Sequence, residues 1–411
     1  MSRTAQREPG PSPALAPPPG NPRFPLVDSL RGIAVLSVVV YHVTGITGAM
    51  NDPTIGKVYA VLGNQGVVIF FILSGFLLYR PYAAAHATGR PRPSAGRYAR
   101  RRALRILPAY WTALTILAVA PGVIGVFSGD WWRYYLFLQN YSHATINEGI
   151  PPAWTLAVEA SFYAVLPAWA LALRGVGARL GRRRWLQAEL LMVGVVAAVG
   201  VFVQVAASRL LISNLLATTL LGECAWFALG MALAVLSVED QRRSEPRLII
   251  SLARRFPGLC WIGAAACLLG VAAVVNAGGV IKLILSLSER QPYLRTLGNL
   301  VLTGGLGTLL VAPAVFGHAR GGIPQRILAW RWLAALGLIS YGVYLYHLTF
   351  AELIGERADP SRFTDPGLGL VARAQHLATP ALLVLTLAAS VAAATLSYRF
   401  VELPFLRLKE R

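Results

Sequence analysis

The sequence has little charge and almost no lysine. Of its 411 residues 14% are charged and 55% hydrophobic, whereas a water-soluble domain carries roughly a quarter charged residues. Most of such a chain needs surroundings other than water. Nor is there any long stretch free of apolar runs. Segments of about 18 residues or more, each able to cross a hydrocarbon core about 30 Å thick, recur along the whole length. That leaves no room for a separate soluble domain. Cysteine is scarce as well: Cys224, Cys260 and Cys267 all lie in apolar runs, and no disulfide framework is implied. Walker loops, nucleophile elbows and dinucleotide fingerprints are missing from any suitable strand–helix turn. Their absence argues against an ATP-driven pump. Close metal-ligand spacings such as His-x3-His are missing too, so no metal is expected.

What is present is arginine. The formal charge is +20, and lysine occurs only at positions 57, 282 and 409. The arginines cluster in the short gaps between apolar runs, which positive-inside topology explains without a nucleic-acid partner. Residues 1–25 read as a Pro-rich cytoplasmic tail, 26–404 as one transmembrane domain and 405–411 as a second cytoplasmic tail. The fold class is all-α, with helices near 30–49, 66–82, 106–127, 154–173, 188–208, 214–236, 258–277, 297–316, 332–352 and 376–397. With both termini inside, 29 of the 38 Lys and Arg fall on the cytoplasmic side, alternating correctly across about ten spans. The outer segments 128–153, 278–296 and 353–375 are long and partly apolar, compatible with half-helices or lids.

Ionisable groups inside a membrane are costly and usually functional. That filter selects His42, Glu159, Glu223 and His347, with Arg31 at a helix mouth and Glu352 near an outer end. Arg31 and His42 are eleven residues apart, a rotation that returns to within about 20° and a rise of roughly 16 Å. They therefore share one helix face. An inner cation suits an anionic ligand and a deeper neutral imidazole suits a general base. Glu159 and Tyr163, four apart, share a face of the fourth helix at a depth expected to match His42, so the carboxylate would orient the imidazole. Trp154 opens that helix. The run Arg97-Tyr-Ala-Arg100-Arg101-Arg102-Ala-Leu-Arg105 precedes the third span and could form a phosphate-binding lip beside Arg31 and Arg80. Ser340-Tyr341-Gly-Val-Tyr344-Leu-Tyr-His347 rises through the ninth helix toward the same level. Glu402 sits at a cytoplasmic mouth, where pairing with a nearby arginine is expected.

Taken in order, these segments resemble the membrane acyltransferase-3 family of bacterial O-acyltransferases. The likeness runs from Pro25-Leu-Val-Asp28-Ser-Leu-Arg31 to Glu402-Leu-Pro404. It is carried by the Arg31–x10–His42 spacing, Gly66-Val-Val-Ile-Phe70-Phe71-Ile-Leu-Ser74-Gly75-Phe76, the basic run ending Arg105-Ile-Leu-Pro108, Trp154…Glu159…Phe162-Tyr163 and Ser340-Tyr341…His347. One departure is Val68, where many members carry an acid. The resemblance implies a bacterial plasma-membrane enzyme that transfers an acyl group, often acetyl. The donor would be cytosolic acyl-CoA, a co-substrate, with no bound cofactor. The acceptor would be a hydroxyl of a carbohydrate, envelope glycan or glycosylated small molecule.

On this reading His42, Glu159, Tyr163 and His347 carry the chemistry, while Arg31, Arg97, Arg101 and Arg105 hold the donor's phosphates. Ser74, Tyr341, Tyr344 and Trp154 position substrate or stabilise the oxyanion. The rival reading is a transporter or flippase of an envelope precursor or drug, because proton-coupled carriers bury the same residue types. Internal repeats of the kind many carriers show are not evident.

Overall fold

The structure is a computed structural model that describes residues 24, 26–49, 56–123, 125–180, 184–276, 292–317, 322–358 and 379–408. Most of the N-terminal tail, residues 278–291 and 359–375 of the outer segments, and residues 409–411 lie outside that set. Among the described residues there is no strand.

The long helices are α1 Val27–Ile46, α2 Gly56–Thr88, α3 Ala95–Val119, α4 Trp154–Leu180, α5 Trp185–Ser208, α6 Leu220–Arg242, α7 Pro257–Asn276 and α8 Pro292–Phe316. They are followed by α9 Arg331–Leu338, α10 Ser340–Ala358 and α11 Thr379–Ser397. Eight spans among the described residues are long and apolar enough to cross a membrane. A ninth is the pair α9–α10, bent by 76°. The tenth expected span corresponds to α3, whose first turns carry the arginine run and whose apolar part begins after Arg105. The protein is a multi-pass membrane protein. Large apolar side chains such as Leu191, Phe202, Ile262, Leu269 and Val301 are exposed on its flanks. In lipid that exposure costs nothing, because acyl chains are as apolar as leucine.

Helix association in lipid then rests on close packing and buried hydrogen bonds. The Gly66…Gly75 segment of α2 supplies the first. A Cβ at Gly66 would collide with the backbone of Ala34 on α1, and one at Gly75 with the backbone of Phe227 on α6. Two glycines on α2 thus let it wedge between two neighbours. Val68 is buried in the same core. Hydrogen bonds supply the second. Glu189 on α5 accepts from Tyr79 and contacts His86 Nδ1 at 2.6 Å, tying α5 to α2. Arg80 donates to Ser237 at 3.0 Å and Gln241 at 2.7 Å on α6, so it braces helices rather than joining the phosphate lip expected of it.

The break between α9 and α10 has a local cause. Gly337 lies against the backbone of Asp28 at the start of α1, and the Ser340 hydroxyl donates to the Gly337 carbonyl at 2.8 Å, closing the end of α9. The remainder of the ninth span leaves at a new angle.

Segment 125–153 is a packed cap built from short turns rather than a half-helix. Tyr134, Phe137, Gln139, Asn140 and Ile150 are buried in it. Tyr110 and Trp111 of α3 each donate at 2.9 Å to its carbonyls, at Tyr134 and Tyr135. Asn140 donates at 2.8 Å to the carbonyls of Trp154 and Thr218. Pro151-Pro152, whose fixed φ suits a helix start, then leads into α4.

Candidate functional site

His42 and His347 meet. His347 Nε2 is 3.1 Å from His42 Nδ1, with the ring centroids 4.9 Å apart. His347 is fully buried, and its Nδ1 is 2.8 Å from the Tyr344 carbonyl one turn below. A carbonyl only accepts, so that nitrogen carries the hydrogen and His347 Nε2 keeps its lone pair. His42 Nδ1 faces that lone pair and also the Val38 carbonyl at 3.0 Å. Both are acceptors, so in the neutral pair the hydrogen of His42 sits on Nδ1. Its Nε2 is left with the lone pair. The protonation pattern follows from the bonding network alone.

Glu159 does not join this pair. Its Oε1 accepts from Ser74 at 2.6 Å and its Oε2 from Tyr163 at 2.8 Å. Around it gather guanidinium groups. Arg31 lies within electrostatic range of Arg105, Asp28, Glu159 and Tyr163, and Arg102 within range of Tyr163, Arg105, Tyr98 and Glu159. The Arg102 guanidinium also lies 5.9 Å from the centre of the Tyr163 ring, within reach of a cation–π attraction. Glu402, 2% exposed, sits in the π-helical turn Tyr398–Glu402 within electrostatic range of Arg105 and Arg31, but among the described residues no ion pair joins it to either, so the expected arginine pairing is not formed. The expectation that Glu159 orients His42 is therefore corrected. The histidine's side-chain partner is His347, and Glu159 is the acceptor at the centre of a Ser–Tyr–Arg cluster.

The reason is the depth at which α4 begins. The capping segment carries Pro152 and Thr155 inward until Tyr344 reaches both, donating to the Pro152 carbonyl at 2.8 Å and contacting Thr155 Oγ1 at 2.6 Å. Thr155 is thus level with Tyr344, already below His347. Glu159, four residues on, lies about 6 Å closer to the arginine-rich end. Tyr341, a turn below Tyr344, accordingly lies within electrostatic range of Glu159.

Several positioning candidates prove committed to backbone groups. Tyr341 donates to the Ile106 carbonyl of α3 at 3.0 Å, and Tyr344 is held as described. Trp154 packs its ring into the core while its carbonyl accepts from Asn140. Glu223 accepts from Trp226 Nε1 at 2.6 Å, a bond within its own helix. Among the arginines, Arg31 and Arg105 are half-buried at the cluster, whereas Arg97 and Arg101 are exposed. The residue the sequence reading passed over is Arg102. The inward face of α3 carries Tyr98, Arg102 and Arg105, turned about 100° from one centred on Arg101. In the sequence only Tyr98, an aromatic amid charges, hints at the buried side. Among the described residues no group of three or more His, Cys, Asp or Glu comes together as a metal site.

Residues 25–399 match the acyltransferase-domain model of the acyltransferase-3 family. The chain is 23% identical over 406 residues to the Peptidoglycan O-acetyltransferase OatA of Listeria monocytogenes, covering 92% of this chain and 55% of that protein. It is 28% identical over 177 residues to the Acyltransferase MdmB of Streptomyces mycarofaciens, 39% of this chain and 43% of that one. A third relative, the Putative peptidoglycan O-acetyltransferase YrhL of Bacillus subtilis, is 27% identical over 159 residues, 35% of this chain and 23% of its own. The chain thus spans about half the length of the Listeria protein or less of these relatives. No solved structure matches it. A family match running from the start of α1 into the last π-helical turn takes in both histidines and, apart from Glu402, every residue of the charged cluster, and the protein belongs to the acyltransferase-3 family.

Proposed function

We propose that the protein is a membrane O-acyltransferase. It moves an acyl group, acetyl in the simplest case, from acyl-CoA to a hydroxyl of a carbohydrate, envelope glycan or glycosylated small molecule. The observation that carries this reading is a histidine with a free lone pair, His42, backed by His347 and standing on the same helix face as the Arg31 of a guanidinium cluster.

The arginine-rich end faces the cytoplasm, in keeping with positive-inside topology. Arg31, Arg102 and Arg105 attract the phosphates of the donor, with Glu159 and Glu402 as the counter-charges that keep like-charged guanidinium groups together. The rise of about 16 Å from Arg31 to His42 is bridged by the donor's flexible thioester arm. His42 Nε2 takes the proton of the acceptor hydroxyl as its oxygen bonds to the thioester carbon. The tetrahedral intermediate then collapses, the carbon–sulfur bond breaks, and the proton on His42 passes to the departing thiolate. While His42 is charged, its Nδ1–H donates to the His347 lone pair. That fills the place an aspartate holds in a serine-protease triad, with a neutral acceptor instead of an anion.

The relatives named for peptidoglycan O-acetylation support a hydroxyl-bearing glycan as acceptor, and the relative named only as an acyltransferase supports the transfer itself. The test is thiol release from acetyl-CoA in detergent, with and without candidate acceptors, by wild type and His42→Ala. Acceptor-dependent release that disappears in His42→Ala is the expected result. Full turnover by that variant overturns the role of His42, and no acceptor-dependent release by wild type overturns the reaction.

A further inference from the structure

Beside the guanidinium cluster, between α2 and α3, the arginine-rich end holds a cavity of about 270 Å³. Leu77, Pro81 and Tyr82 on α2 face Pro93, Tyr98 and Arg102 across it. Three polar atoms buried around this space have no hydrogen-bond partner: the hydroxyls of Tyr82 and Tyr98 and Nε of Arg102. Tyr82 is 1% exposed. A buried polar group left unpaired is destabilising, and native proteins rarely tolerate one without a reason. Three converging on one cavity point to a ligand that supplies their partners.

The wall chemistry narrows the ligand class. A bare phosphate needs few apolar contacts, yet most of the lining here is leucine, proline and tyrosine ring. A lipid tail would leave all three polar atoms unpaired. A flat heteroaromatic ring with acceptor nitrogens, bearing phosphates, satisfies both requirements. The ring lies against Pro81, Pro93 and the edge-to-face tyrosine pair, whose centroids are 6.2 Å apart. Its acceptors reach the hydroxyls, and its phosphates meet Arg102 and the exposed Arg97 and Arg101 at the rim. Arg102 also touches the Tyr163 ring, so the cavity adjoins the Glu159 cluster.

We infer that this cavity seats the purine nucleotide head of the acyl donor, with Tyr82 and Tyr98 reading the base. The inference rests on the acyl-transfer reading for the rest of the donor. It adds that the thioester is recognised by its nucleotide. A pantetheine arm presented by a carrier protein would leave the seat unfilled.

The probe is 3′-phosphoadenosine 5′-phosphate, titrated against the full chain in detergent. Transfer assays run in parallel with acetyl-CoA and with acetyl-pantetheine, which lacks the nucleotide. Wild type should bind the probe, and the double variant Tyr82→Phe/Tyr98→Phe should bind it about tenfold more weakly. The variant should raise KM for acetyl-CoA by a similar factor, with kcat unchanged, and leave KM for acetyl-pantetheine as it was. Because the deleted hydroxyls lack partners, its thermal stability should not fall, which separates loss of binding from loss of fold. Failure of the probe to bind, equal binding by the double variant, or an equal KM change for both donors overturns the seat. Probe binding without transfer from either donor leaves the seat standing and overturns the transferase reading instead.

Discussion

The two polar clusters of the candidate site are built on opposite principles. The His42–His347 pair is neutral, small and tied to main-chain carbonyls at Val38 and Tyr344. The Glu159 cluster is charged, broad and tied to side chains from α1, α2, α3 and α4. Carbonyl anchors leave one defined lone pair pointing onward, as proton transfer needs. Interlocked charges create a field that attracts an anion but offers no single basic atom, as phosphate binding needs. The difference separates chemistry from capture. It also predicts which kinetic constant each cluster governs.

Removing the lone pair should have the largest effect. His42→Ala is expected to lower kcat about a thousandfold, within the range for a general base, while KM for acetyl-CoA stays within about twofold. Steady-state thiol release over a range of donor concentrations measures both constants. Next comes the partner. His347→Gln keeps an acceptor near His42 Nδ1 but loses its position, and a hydrogen bond to a charged group contributes about 1.5–3 kcal/mol. A fall of about ten- to a hundredfold in kcat follows, again with KM little changed. If His347→Gln instead raises KM and spares kcat, the division between the clusters is broken.

The sequence made the first part of this legible and blurred the second. Arg31 and His42 share a helix face because eleven residues make nearly whole turns, and both are half-buried on α1 as that geometry requires. The ten expected spans each have a helix, since apolar length is written locally. The sequence pairs Glu159 with the wrong partner, because a depth counted from the start of its helix does not say how deep that start lies. The real start of α4 is set by Asn140 and Gln139 of the preceding cap and by Tyr344, far away in the chain, gripping residues 152–155. Arg102 was passed over for a related reason. Which side of α3 faces inward depends on its neighbours, and a run this dense in arginine has no apolar stripe through its first turns to mark it.

In the charged cluster the side chain to remove is Arg102. Arg102→Gln keeps much of the side-chain length and removes the charge over Tyr163. KM for acetyl-CoA should rise about tenfold, the weight of one charge-assisted contact, with kcat within about twofold. The salt dependence of KM should also flatten, because one fewer cation steers the donor. A drop in kcat with unchanged KM would show that Arg102 acts on the reacting atoms, and the contrast between the clusters would need redrawing.

The smallest effect is expected at Tyr344, which touches both His347 and the start of α4. Its carbonyl orients His347, and its hydroxyl fixes the start of α4 through Pro152 and Thr155. Tyr344→Phe removes only the second role. Stability in detergent should fall by about 1 kcal/mol, the usual net contribution of one hydrogen bond, and kcat should stay within about threefold because the carbonyl is untouched. Thermal unfolding followed by circular dichroism, paired with the thiol-release assay, reads both. A loss of kcat as large as that of His347→Gln would mean that the depth of α4 controls the histidine pair as well. The two clusters would then work as one unit, with Tyr344 as the joint between them.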